Sequence, residues 1–319
     1  IEDRWILSRL ASTIDEVQRN LTAYNPFIPG NSADSSIPAA CFELQITNTE
    51  ETEIDYTVAL VVTNPSLPTK SRNHAYCTDG NQLLTLATNH IPDNHANFGD
   101  ITIGTDCDDL SYQEYWFRGM FFDDLTIYWY DFNQPGHFQN RSYPDVDKNI
   151  DDSVPKQDTG VLASRISVPP SEKRNIRFVI TWNYPNCINY WRPGETEDEH
   201  QQAKSKTSQT VEWRNYYATR FSNSTASAVY CLNEWSRLKQ QTEVFRNTLY
   251  ASSVPLALLD AAAATLSVLK SPTVLRLEDG TFYGFEGVGI DEGCCEGSCS
   301  HVWNYAYALP FLFPDLERS

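Results

Sequence analysis

From residue 40 the chain alternates apolar and polar positions, with Phe42, Leu44 and Ile46 interleaved with Glu43, Gln45 and Thr47. Period two of this kind predicts a strand with one buried face. A polar stretch at 48–53 and a second apolar run at 54–63 follow, and together the two runs predict a β-hairpin. Further strand-like runs fall at 82–88, 100–103, 160–168 and 175–182, with little helical periodicity between them. Strands separated by polar loops predict an antiparallel β-sandwich rather than an alternating parallel sheet. Upstream, Trp5, Ile6, Leu10, Ile14, Val17 and Leu21 are spaced for a helix or equally for strands joined by turns. Residues 25–38 hold Pro26, Pro29, Gly30 and Pro38, which enforce an extended, irregular connection.

The pattern changes after residue 223. Val229, Leu232, Trp235, Leu238, Phe245 and Leu249 predict one helix over 224–249, and Pro255 opens a second that runs to about Leu269. Lys270 and Pro272 end it. Residues 275–285 alternate around Asp279-Gly280, a tight-turn pair, so a short hairpin is expected just before Glu286. From His301 apolar residues return at helical spacing until Pro314. The stretch at 195–210, rich in charge, Gln, Ser and Thr, reads as an exposed loop. The fold class is therefore α+β and multidomain, with a β-domain over 1–223 and a helical part over 224–319.

Composition narrows the function classes. The 319 residues carry 42 acidic against 24 basic side chains, a formal charge of -18, which argues against nucleic acid and an anionic membrane surface as partners. No apolar run is long enough for a transmembrane helix, so a soluble protein of open compartment is expected. No leader is visible at Ile1, and Asn20, Asn140 and Asn223 head N-x-S/T triplets. Eight cysteines are too dilute for a disulfide scaffold.

Three stretches carry candidate chemistry. Residues 113–132 are crowded with aromatics, as at an interface between the sheet and a second domain, or on a sugar-stacking platform if the rings are exposed. Cys294, Cys295 and Cys299 lie near His301, but no second Cys pair completes a zinc pattern, so buried packing cysteines are expected and no metal is assigned. Glu286 sits among aromatics in Phe-Tyr-Gly-Phe-Glu-Gly, the setting a glycosidic nucleophile needs, while Asp291, Glu292 and Glu296 read as turn or solvent-facing charges. His301, Trp303 and Asn304, within about one helical turn, either line a sugar pocket or serve the helix core.

The run GCCEGSCSHVWNYAYALPFLFPDLER over residues 293–318 resembles the signature of glycoside hydrolase family 116, the non-lysosomal glucosylceramidases and β-glucosidases. The resemblance extends to LEDGTFYGFEG at 277–287, to WRNYYATRF at 213–221 and to the connection at 26–38. It implies a β-sandwich packed on an (α/α)6 barrel and retaining hydrolysis of β-glucosides or glycolipids through a Glu nucleophile and an Asp acid/base. Carried onto this sequence, the nucleophile is Glu286, with Glu296 in reserve, and His301, Trp303 and Asn304 are the pocket candidates. The family's acid/base Asp falls downstream of Ser319, so this chain is expected to hold the sandwich and only the first barrel helices. The remainder of the barrel, in the same or a second chain, is then a required partner, and no cofactor is implied. Two other readings stand beside this one. One is a non-catalytic glycan-binding or structural sandwich; the other is a metal or redox module on Cys294, Cys295, Cys299 and His301.

Overall fold

In a computed structural model of the chain the described residues are 7–14, 17–119, 122–143, 157–187, 213–286, 297 and 306–319. In chain order the strands are β1 Leu7–Ile14, β2 Val17–Tyr24, β3 Ala39–Asn48, β4 Ile54–Thr63, β5 Ser71–Thr78, β6 Asn81–Thr88, β7 Asp100–Thr105, β8 Leu110–Gln113, β9 Thr159–Val168, β10 Lys173–Asn183, β11 Asn186–Cys187, β12 Trp213–Arg214, β13 Val274–Arg276 and β14 Phe282–Gly284. The helices are α1 Ser32–Ser35, α2 Asp124–Phe132, α3 Tyr217–Arg220, α4 Ser224–Asn233, α5 Trp235–Tyr250, α6 Leu256–Leu266 and α7 Leu309–Leu312. The start of the chain, readable from sequence as helix or strands, is the antiparallel pair β1–β2.

Two antiparallel sheets stack face to face. One has seven strands in the order β1-β2-β3-β10-β7-β6-β5, the other three in the order β4-β9-β8. Ile46, Ile176 and Phe178 of the large sheet pack with Val168, Tyr56 and Val58 of the small one, and Leu84, Leu86 and Ile103 pack with Leu162 and Leu60. This is the sandwich core. The runs expected at 82–88, 100–103, 160–168 and 175–182 are strands β6, β7, β9 and β10.

The hairpin expected across 42–63 does not form. Strand β3 pairs with β2 and β10, whereas β4 pairs along its whole length with β9. The chain crosses from one sheet to the other, and buried Asn48 holds the crossing by donating from Nδ2 to Thr52 O and Val168 O, both at 2.8 Å. Alternation identifies Phe42, Leu44 and Ile46 as the sandwich-facing residues of β3. The expected single buried face does not hold, since Cys41 and Glu43 on the other face are buried too. Alternation also carries no information about whether two successive strands lie side by side or face to face.

The large sheet is covered on its other face by helices. Cys41, Leu83 and Val179 point to Ala228, Cys231, Leu232, Trp235 and Leu238 of α4 and α5. The single helix expected over 224–249 is broken at Glu234, which closes α4 and opens α5. The break aims Trp235 inward, edge-on to Tyr24 at 5.6 Å. Helix α6 follows Pro255, as expected.

The aromatic run at 113–132 also differs from its expected place. Trp116 stacks on Tyr128 at 4.5 Å, and Tyr128 and Phe138 cover Val161 and Ala163 on the outer face of the small sheet. Because β9 sends Leu162 into the sandwich and Val161 outward, this layer lies on the side away from α4 and α5. It therefore caps the small sheet and does not join it to the helical part. The stretch at 195–210 lies outside the described residues. Among the described residues no helix is long and apolar enough to cross a membrane.

Candidate active site

The expected hairpin is present: β13 and β14 pair with Leu275 opposite Tyr283. Its turn uses Gly280 at φ +96°, a conformation that L side chains rarely adopt, and the Asp279 carboxylate accepts from Thr281 N at 2.9 Å. That backbone bond holds the Asp279 carboxyl below the usual range. The hairpin is docked along one edge, with Tyr216 N donating to Arg276 O and Glu278 N to Arg214 O, both at 2.9 Å. Trp213 stacks on Tyr283 at 4.8 Å, and Phe285 is fully buried. These contacts explain why WRNYYATRF and LEDGTFYGFEG belong together: they are two edges of one small platform.

Glu286 leaves this platform directly after buried Phe285, whose N donates to Thr273 O at 2.8 Å, and its own side chain is exposed. The chain returns to the platform at Gly297, whose carbonyl accepts from Gly284 N at 2.8 Å. At Gly297 φ is +80°, and a Cβ would lie 2.8 Å from the Tyr283 ring, so a side chain there is excluded on two grounds. Of the sequence-derived candidates, only Glu286 is among the described residues. His301, Trp303 and Asn304 lie outside them, as do Asp291, Glu292, Glu296, Cys294, Cys295 and Cys299. Among the described residues no group of three or more His, Cys, Asp or Glu side chains could hold a metal.

Sequence reasoning missed the polar support behind this platform. Asp34 in α1 is buried, yet it accepts from Tyr230 Oη at 2.9 Å, Arg237 Nη1 at 2.8 Å and Arg220 Nη2 at 3.3 Å. Burial alone would raise its pKa, but the bonds from Arg237, Tyr230 and Arg220 hold it below the usual carboxylate range. The irregular connection at 25–38 is thus an anchor. Phe27 packs against Phe245 and Phe313, and Gly30 N donates to Leu312 O at 2.7 Å. Arg276 also reaches the connection, donating to Ser32 O at 3.2 Å and Ser36 Oγ at 3.1 Å while its guanidinium lies 3.5 Å from the centre of the Tyr216 ring. The only sequence signal for this anchor was the clustering of Pro, Gly and Ser, which does not report which distant side chains will seek the exposed carbonyls.

Residues 11–238 match the model of the family described as beta-glucosidase 2, glycosyl-hydrolase family 116 N-term. Among solved structures, a protein described as "Putative kojibiose phosphorylase from human microbiome" superposes with a TM-score of 0.34 at 9% identity, over 82% of this chain and 25% of that one. The chain thus spans a quarter of the length of that structure. No curated protein matches the chain.

Proposed function

Since the chain belongs to glycosyl-hydrolase family 116, whose N-terminal model it matches over residues 11–238, we propose that it is the N-terminal part of a retaining hydrolase of β-linked glucosides. The family match carries this reading. A division into a sandwich over 1–223 and the first helices of an (α/α)6 barrel over 224–319 belongs to the same proposal. In it Glu286 is the nucleophile. A retaining enzyme attacks the anomeric carbon with one carboxylate and protonates the leaving oxygen with a second carboxyl roughly 5–5.5 Å away. Further barrel helices, in the same or another chain, supply that second group. Support for Glu286 comes from its place at the end of a hairpin held by Trp213, Tyr216 and Phe285, because a nucleophile needs a backbone that does not drift. His301, Trp303 and Asn304 are proposed to line the glucose pocket. Glucosides of ceramide are one substrate compatible with the family.

In the intact protein Glu286→Gln is expected to lower kcat on 4-nitrophenyl β-glucoside by roughly 10³-fold or more, with the fold unchanged by circular dichroism. Full turnover would move the nucleophile elsewhere, with Glu296 next in line. A wild-type protein that binds glucosides but never turns them over would favour a glycan-binding sandwich instead. The exposed rings of Trp129 and Tyr130 in α2, and of Phe122 just before it, are the observation that keeps this second reading in view.

A further inference from the structure

Behind the hairpin, the connection at 25–40, residues 269–272 beyond α6, and Phe313 and Leu316 border an open cavity of about 570 Å³. That volume suits a small organic molecule, for which pockets of roughly 300–1,000 Å³ are usual. Glu286 is not among its lining residues, so this space is distinct from the proposed nucleophile. Phe27, Trp182, Tyr216, Phe282 and Phe313 supply flat apolar walls.

The charge at this cavity opposes that of the whole molecule. In a chain with 42 acidic and 24 basic residues, none of the described lining residues is Asp or Glu, and two, Lys270 and Arg276, are cationic. Lys270 donates to Pro26 O at 2.9 Å and to Ser35 O, which leaves one of its three N–H donors unused. Arg276 spends Nη1 on Ser32 O and Ser36 Oγ, and its Nη2 stands 4.0 Å from the exposed Asp315 carboxylate.

Arg276 is partly buried and Lys270 is exposed as a residue, but protein crowds both cationic head groups. Burial lowers the pKa of Arg276, and it pushes Lys270 down to about 7. An anion entering the cavity would restore the interaction that each cation lost on leaving bulk water.

We propose that this cavity binds an amphipathic organic anion, with its acid group at the Lys270 and Arg276 wall and its apolar body against Phe27, Trp182, Tyr216 and Phe282. A neutral sugar is a poorer fit, because the described lining lacks the carboxylates that accept from sugar hydroxyls. The proposal does not rest on the role of Glu286.

Naphthalene-2-sulfonate and its neutral analogue naphthalene-2-methanol test it by calorimetry on the intact protein. The sulfonate is expected to bind at one saturable site, and the alcohol about tenfold or more weakly, the discrimination a charge-assisted contact provides. Arg276→Gln should erase most of that difference. Because Arg276 also ties the hairpin to the connection, a second readout uses unaltered protein: saturating sulfonate should slow acetylation of Lys270 severalfold while other lysines react as before. Equal binding of the two probes, no saturable binding, or unchanged Lys270 acetylation would each overturn the assignment.

Discussion

On one face of the seven-stranded sheet, Leu84, Leu86, Ile103, Ile176 and Phe178 meet the small sheet in an apolar core. On the other, the same strands mix Leu83 and Val179 with a line of hydroxyls. Thr102 Oγ1 lies 3.0 Å from Thr85 Oγ1 and 2.6 Å from Ser224 Oγ, and Thr181 Oγ1 donates to Ser224 O at 2.7 Å. Ser224 N donates to Asp100, and Glu43 accepts from both Trp235 Nε1 and Lys239. The first face is non-directional and holds the two sheets together by area removed from water. The second face sets where α4 and α5 sit, since hydrogen bonds fail when a helix slides by a fraction of a turn.

The comparison can be broken by mutation. Leu84→Ala, at a fully buried position of the apolar face, should cost about 4 kcal/mol in urea unfolding, within the range known for buried Leu→Ala changes. A cost under about 1 kcal/mol would show that this face is loosely packed. Asp34→Ala removes the acceptor shared by Arg220, Arg237 and Tyr230 and should cost about 3 kcal/mol, the low end for a broken buried pair because both guanidiniums reach solvent. Its pH signature gives a sharper test. The Asp34 pKa is lower in the folded than in the unfolded chain, so its contribution is present above about pH 4 and is lost as pH falls through the folded value. Acid unfolding of Asp34→Ala should lack that limb. Thr102→Val keeps the shape and deletes the central hydroxyl, so about 1–2 kcal/mol is expected, with faster amide exchange in α4. A neutral Thr102→Val would mean that the helical face is also held by volume alone.

Much of the fold was legible because strands announce their faces. The alternations at 82–88, 100–103, 160–168 and 175–182 all became strands, and Asp279-Gly280 became the tight turn of the β13–β14 hairpin. The helix expected from Pro255 is also present. The platform that carries Glu286 was readable as well, since its turn chemistry is local. Partners were not readable. The pairing of β4 with β9, which sets Ile54 opposite Val168, 114 positions further on, depends on loop paths that no local pattern records. The placement of Tyr128 over Val161 depends on which face of the small sheet was still uncovered.

The sequence by itself determined the family, through extended motifs whose residue order survives without any coordinates, and the sandwich-facing Phe42, Leu44 and Ile46 of β3, through a period set by backbone geometry. Only the tertiary structure decided that Pro26, Ser32 and Ser35 would offer their carbonyls to Lys270 and Arg276, residues more than two hundred positions away, and so line a cationic cavity in an acidic protein. The reason is physical. Backbone carbonyls in an irregular connection must be satisfied by something, and which donor arrives is settled by packing rather than by neighbours in the chain.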